Sequence, residues 1–322
     1  MSELALEARG LTKLYGGGAT LFGRPRAANH AVSDVALSLT RGETLGIVGE
    51  SGCGKSTLAR MLAGLTPPSA GTVSINGQVF VGDRTTLPRA GRRTIQYVFQ
   101  DPNGSLNPRK TVRNILETPL IRLVRLDRKR RDERVIELMD AVRLRAEFVD
   151  RYPHELSGGQ AQRIGIARAL AANPDIVILD EPVSALDVSV QAQVLSLLSE
   201  LQQRFRLTYV FISHNLAATE AVSDRVAVMY FGRIVEQAPA RRLFANPRHP
   251  YTRLLLDSAP VIGRKSRQVG AEIAELPDPY DPPPGCAFAA RCSNVTAHCR
   301  RDAPELTRMD EDHDVACFHP LT

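Results

Sequence analysis

Three groups of residues in this 322-residue chain have types and spacing suited to chemistry. The first, Gly49-Glu50-Ser51-Gly52-Cys53-Gly54-Lys55-Ser56, fits GxxxxGK[ST]. Glycines at this spacing let the backbone wrap a β-phosphate with its N–H groups, Lys55 supplies a point charge to the β- and γ-oxygens, and the Ser56 hydroxyl can ligate Mg²⁺. Cys53 reads as a spacer within the loop. The second group is Leu156-Ser157-Gly158-Gly159-Gln160, followed about twenty residues later by Ile176-Val177-Ile178-Leu179-Asp180-Glu181. A polar glycine loop that opens a helix offers orphan N–H groups and a positive dipole end, which make an anion site, although alone it could be an N-cap. The third group is Cys286, Cys292, Cys299 and Cys317, four of the chain's five cysteines.

Each group needs elements to hold it. Thr44-Leu45-Gly46-Ile47-Val48 reads as a buried strand, and Ser56 to Leu65 carries a helical apolar pattern, giving the strand, glycine loop and helix of a phosphate cradle. Ile176 to Leu179 is four aliphatics in a row, as expected of a parallel strand covered on both faces. It delivers Asp180 and Glu181 to the carboxyl edge, where ligands of open α/β sheets bind. There Asp180 can hold Mg²⁺ through water and Glu181 can orient or deprotonate an attacking water. Around these, residues 1–40 read as antiparallel β with a Gly- and Arg-rich insertion from Gly16 to Asn29, and Val73 to Val79 as a hairpin with an Asn-Gly turn. Residues 101–155 read as mainly helical, Ser189 to Arg206 as one amphipathic helix packed on the sheet, and Val226 to Glu236 as a closing hairpin through Gly232.

The length accommodates one large domain and a smaller appendage, and 43% hydrophobic residues suffice for a core. With no run of eighteen apolar residues and no signal-peptide design at Met1-Ser2-Glu3-Leu4-Ala5, the expectation is a cytosolic chain that spans nothing. The net charge of +6 is modest. Arg122, Arg125, Arg128, Lys129, Arg130, Arg131 and Arg134 cluster in one helical region, read first as a solvated face and second as a neighbour of lipid headgroups. Without interleaved aromatics they do not suggest base recognition, so no specific nucleic acid is expected.

In their order across about two thirds of the sequence, these motifs resemble the ATP-binding subunit of an ABC transporter. Gly49 to Thr57 is similar to the family's Walker A, Leu156 to Gln160 to its signature, Ile176 to Asp180 to Walker B, and Ser184-Ala185-Leu186-Asp187 to its D-loop. The resemblance implies a catalytic glutamate at Glu181 and a switch histidine at His214, after the strand Tyr209 to Ile212. It further implies a glutamine at Gln100, after the strand-like Ile95 to Phe99, that reaches Mg²⁺ or the attacking water, and an adenine-stacking aromatic at Tyr15. In the family's head-to-tail dimer, Ser157, Gly158, Gly159 and Gln160 close over ATP bound to the partner's Walker A. The implied fold is α/β: a P-loop ABC-type ATPase domain over residues 1–240 with an antiparallel β subdomain and a helical signature subdomain at about 101–165, followed by a small cysteine-containing extension over 241–322.

Beyond Pro239 the composition changes to a proline-rich linker from Pro277 to Pro284 and then the cysteines. Clustered cysteines in a reducing compartment suit a metal better than disulfides. The spacing C-x₅-C-x₆-C-x₁₇-C matches neither a tight zinc ribbon nor the C-x₂-C-x₂-C iron–sulfur run, so spacing alone leaves the metal open. Pro247 to Pro260, Gly285 to Cys317, Asp101-Pro102, Ser105 to Arg109 and Glu181 to Gln191 are similar to the oligopeptide/dipeptide branch of the family. That resemblance implies a 4Fe-4S cluster on Cys286, Cys292, Cys299 and Cys317, with Zn²⁺ or free buried thiols as the alternatives and His298, His313 and His319 near enough in sequence to substitute.

The resemblance implies an ATPase on the cytoplasmic face of the cell membrane. Its expected partners are a second ATPase subunit, identical or homologous, two transmembrane permease subunits and an extracytoplasmic solute-binding protein. Its expected cargo is oligopeptides or dipeptides, with nickel or another small solute as the alternative. A soluble ABC ATPase acting on ribosomes or DNA is a weaker rival, because the chain has one cassette and no sustained heptads.

Overall fold

The computed structural model describes residues 3–17, 27–82, 91–258 and 276–322. Two sheets carry the fold. In the first, β1 (Leu4–Gly16) lies between β2 (Ala28–Thr40) and the later strand β4 (Ala70–Ile75) in antiparallel pairing. Between β2 and β4 in sequence runs β3 (Thr44–Val48), and β5 (Gln78–Val81) edges the first sheet beyond β4. Asn76 and Gly77, with φ of 50° and 76°, turn the β4–β5 hairpin, the left-handed pair that an Asn-Gly dipeptide favours. Most of the Gly16 to Asn29 insertion lies outside the described residues.

β3 is central to the second sheet. It pairs in parallel with β8 (Thr208–Ile212) and β9 (Arg225–Tyr230), while β7 (Ile176–Asp180) lies parallel between β8 and β6 (Ile95–Val98). All residues of β3, β7 and β8 are buried, which accounts for their uninterrupted apolar runs. The helix Lys55–Leu62 follows β3 and buries Leu58, Met61 and Leu62, ending earlier than its pattern suggests because Gly64, at φ 65°, takes the left-handed stop. Residues 101–155 are helical in short pieces, the longest being Arg128–Ala141, capped by Asp127. This helix packs against the helix Gly158–Leu170, with Val135, Leu138 and Met139 buried in the shared apolar cluster. Arg128, Lys129 and Arg130 are exposed, Arg130 beside Asp127, whereas Arg131 and Arg134 are half-buried, Arg131 donating to the Leu126 carbonyl and Arg134 pairing with Glu137.

The chain beyond residue 240 is joined to this sheet. β9 and β10 (Arg233–Pro239) form a hairpin, and the far edge of β10 is covered by β12 (His313–Val315), which pairs in turn with β11 (Thr307–Asp310). Tyr251 and Phe288 sit in one apolar cluster with Val48, Val226, Val228 and Tyr230. Glu236, fully buried on β10, accepts the N–H groups of Arg248 and His249, and His313 Nε2 stands 2.7 Å from its Oε1. The Pro277–Pro284 stretch, expected to run as a linker, lies against the body: the Pro279 carbonyl accepts the His30 N–H at 3.0 Å. Among the described residues no helix is long and apolar enough to cross a membrane.

Candidate functional site

The phosphate loop runs from the end of β3 into the helix Lys55–Leu62. Its backbone demands glycine at two points. A Cβ on Gly49 would fall 2.2 Å from the Met229 carbonyl oxygen, and one on Gly54, at φ 106°, 2.2 Å from that of Ala31. Lys55 is buried, and its ammonium is satisfied by the loop itself: Nζ donates to the Gly49 carbonyl at 2.7 Å and to the Glu50 carbonyl at 2.8 Å. Cys53 is buried below the loop, where desolvation pushes its thiol pKa up against the pull of Lys55.

The carboxyl edge of β7 brings the acids to this loop. Ser56 Oγ donates to Asp180 Oδ1 at 3.0 Å, so a hydroxyl and a carboxylate already stand together as hard oxygen donors of the kind Mg²⁺ takes. Tyr97 Oη donates to Asp180 Oδ2 at 2.6 Å, and desolvation, with the Asp180 charge second, raises the Tyr97 pKa so that it stays a donor. Glu181 adopts φ 52°, a left-handed conformation rare for glutamate, held by its N–H donating to the Ile212 carbonyl. His214, exposed beyond β8, places Nδ1 2.6 Å from Glu181 Oε2.

A cavity of about 410 Å³ gathers these pieces. Tyr15, the loop from Ser51 to Thr57, Gln100 and Glu181 all border it. The Lys13 ammonium stands 5.2 Å over the Tyr15 ring. Asp180 and His214 join the cavity through Ser56 and Glu181, and Gly49 and Glu50 through Lys55.

The signature residues are elsewhere. Ser157, Gly159 and Gln160 border a different surface pocket with Arg163 and Gln193. Ser157 Oγ accepts the Gln160 N–H, and Gln160 Oε1 accepts the Ser157 N–H, so the loop is a capping box that leaves the Gly158 and Gly159 amides as the helix's orphan donors. The cap thus uses atoms of Ser157 and Gln160, and the anion-site reading uses the two glycine amides beside them.

The four C-terminal cysteines border one small apolar cavity together with His319. All are free, and burial raises the thiol pKa of Cys286, of Cys292 and of Cys317, the last to about 11. Yet among the described residues no three His, Cys, Asp or Glu groups are disposed to hold one metal ion. Of the possible substitutes, His313 is committed to Glu236 and His298 stacks on Phe318, which leaves His319 near the thiols. Tyr97, Tyr251 and Arg291 carried no signal in the sequence. Each acts through a neighbour that only the fold supplies, Asp180 for Tyr97 and Glu50 for the other two.

A family described as ABC transporter matches residues 32–184, and one described as oligopeptide/dipeptide transporter, C-terminal region, matches residues 235–299. The dipeptide transport ATP-binding protein DppF of Haemophilus influenzae is 48% identical over 98% of this chain and 96% of its own length. The oligopeptide transport ATP-binding protein AppF of Bacillus subtilis is 47% identical over 98% of this chain and 97% of its own. A solved ATP-binding cassette dimer in a post-hydrolysis state, bound to ADP and Pi, is 29% identical and superposes with a TM-score of 0.64 over 73% of this chain and 99% of its own.

Proposed function

The chain belongs to the family of ABC transporter ATP-binding subunits, and on that premise we propose that it hydrolyses ATP to power uptake of dipeptides or oligopeptides through separate permease subunits. The observation that carries the ATPase assignment is the union of the glycine loop, the Ser56–Asp180 pair and the Glu181–His214 pair at one sheet edge. ATP phosphates entering the cradle give Lys55 a stronger partner than the two loop carbonyls it now holds. Ser56 and Asp180, with Gln100 at the cavity rim, are the residues to hold Mg²⁺, which would neutralise charge on the transferring phosphoryl group. Glu181 accepts the proton of the attacking water, and His214, with Nδ1 2.6 Å from Glu181 Oε2, contacts the γ-phosphate and holds that water together with Glu181. Tyr15 supplies a face for the adenine. Replacing Glu181 with Gln is expected to lower kcat by about a hundredfold or more while ATP still binds; steady turnover in that variant would remove Glu181 from the role of base.

Dimerisation follows from the placement of the signature. Ser157, Gly159 and Gln160 border a pocket separate from the chain's own cavity, and the orphan amides of Gly158 and Gly159 within this loop suit the γ-phosphate of ATP held by a second ATPase subunit, identical or homologous. Loss of that shared phosphate would open the pair and move permease helices docked at the cytoplasmic face of the membrane, with a solute-binding protein on the far side. Uptake of a labelled dipeptide by vesicles holding the permease and this chain tests the cargo; nickel uptake with no peptide uptake would assign the alternative.

Residues 1–240 form the nucleotide-binding unit in this reading and residues 241–322 an extension of the oligopeptide/dipeptide type. Cys286, Cys292, Cys299 and Cys317 are the residues that would hold a 4Fe-4S cluster, which would act there as a covalent staple. The cavity that all four cysteines border supports a site on these thiols, and it serves the Zn²⁺ alternative equally. The visible spectrum and the iron and zinc content after anaerobic purification decide between them.

A further inference from the structure

The C-terminal extension takes hold of the phosphate loop itself. Arg291 grips the carboxylate of Glu50, the second residue of the loop: Nη1 donates to Oε2 and Nη2 to Oε1, both at 2.8 Å. This bidentate pair is mostly screened from water, with the Arg291 side chain 10% exposed and that of Glu50 30%. The guanidinium lies 5.9 Å from the Tyr230 ring centre and 5.8 Å from that of Phe288, so the fork is held against aromatic faces. A second hold is on the backbone. The Glu50 N–H donates to Tyr251 Oη at 2.9 Å, and Tyr251 is itself fully buried against Tyr230 and Phe288. The remaining polar group of Glu50, its carbonyl, accepts Lys55 Nζ. One residue thus connects the extension to the ammonium that must meet the phosphates.

A loop carrying three glycines at positive φ, Gly49, Gly52 and Gly54, has much freedom to lose, and any ordering left until ATP arrives is subtracted from affinity. We infer that Arg291 and Tyr251 are positioning residues for ATP: by fixing Glu50 they pre-form the cradle, so that the extension sets the affinity of the nucleotide site. The inference rests on the ATPase reading above. A second reach points the same way, since Leu276, Pro277 and Pro279 border the nucleotide cavity. Arg291 also stands directly before Cys292, so whatever orders the cysteine segment also places the guanidinium.

A double-mutant cycle on the full chain tests the clamp. Arg291→Met and Glu50→Gln are each expected to raise the KM for ATP about tenfold, with kcat changed far less, and the double variant is expected to be no worse than either single one. Arg291→Lys, which cannot bridge both carboxylate oxygens, should fall between wild type and Arg291→Met. Equilibrium binding of a fluorescent ATP analogue gives the affinity directly, and thermal unfolding reports the fold. ATP affinity within twofold of wild type in the folded single variants, or additive losses in the double variant, would overturn the clamp. A loss of thermal stability without loss of affinity would reduce Arg291 to a structural tie and overturn it equally. Should Arg291→Met not fold, Glu50→Gln leaves the packing of the extension intact and decides the matter alone. Failure of the wild-type chain to bind or hydrolyse ATP would instead sink the ATPase reading.

Discussion

Asp180 shows how much a single carboxylate depends on its neighbours. It is nearly fully buried, with one oxygen accepting from Ser56 and the other from Tyr97. The Tyr97 hydroxyl answers a charge that burial would otherwise penalise, and it leaves Oδ1 facing the phosphate loop. Tyr97→Phe is expected to cost about 1–3 kcal/mol of stability and to raise the Mg²⁺ concentration needed for half-maximal ATPase. Urea unfolding and a Mg²⁺ titration check both, and unchanged values would show that Asp180 is held by Ser56 alone. Glu181 differs in that its strain is in the backbone: β7 ends where φ turns positive, which aims the side chain into the cavity. Asp180 and Glu181 could be found in the sequence because a buried aliphatic run ended on them. Tyr97 could not, because its partnership spans two strands that become neighbours only in the sheet.

At the scale of elements, periodicity was a good guide wherever one element met one environment. β3, β7 and β8 lie where their apolar runs place them, and the helix Val188–Phe205 turns Val194, Leu197, Leu198 and Leu201 inward as their spacing requires. Boundaries drifted where a local backbone device intervened, as Gly64 shortened the helix after the phosphate loop. The signature loop is an element with two tasks. Ser157 and Gln160 cap the helix Gly158–Leu170 in the single chain, while the same turn leaves the Gly158 and Gly159 amides that the proposed function assigns to a phosphate. Ser157→Ala should therefore cost about 1 kcal/mol in the unfolding of the isolated chain without ATP. The cost should appear in urea titrations with no partner present; its absence would mean the hydroxyl has no capping task.

In the whole molecule the extension is bound in at several places: β12 on the edge of β10, His313 against Glu236, Tyr251 and Phe288 in the apolar cluster, and Arg291 on Glu50. This docking makes stability depend on pH. His249 is buried with its Nδ1 accepting the Tyr251 N–H, and desolvation lowers its pKa from 6.5 to about 4. The unfolded chain takes up a proton near pH 6.5 that the folded chain refuses until about 4, so stability present above pH 6.5 is lost as pH falls through that window. The slope should be about 1.4 kcal/mol per pH unit at its steepest and should flatten in His249→Asn, measured by urea midpoints from pH 7 to 4. Equal slopes in the two proteins would place the titration elsewhere. The sequence by itself determined the chemistry of this chain, because glycine loops, paired acids and strand-end residues act within short windows whose spacing encodes their geometry. Only the tertiary structure decided that the C-terminal extension belongs to the nucleotide site. Glu50 and Arg291 are far apart along the chain, and their union depends on β10, β12 and the aromatic cluster closing together, a cooperative event that no local pattern records.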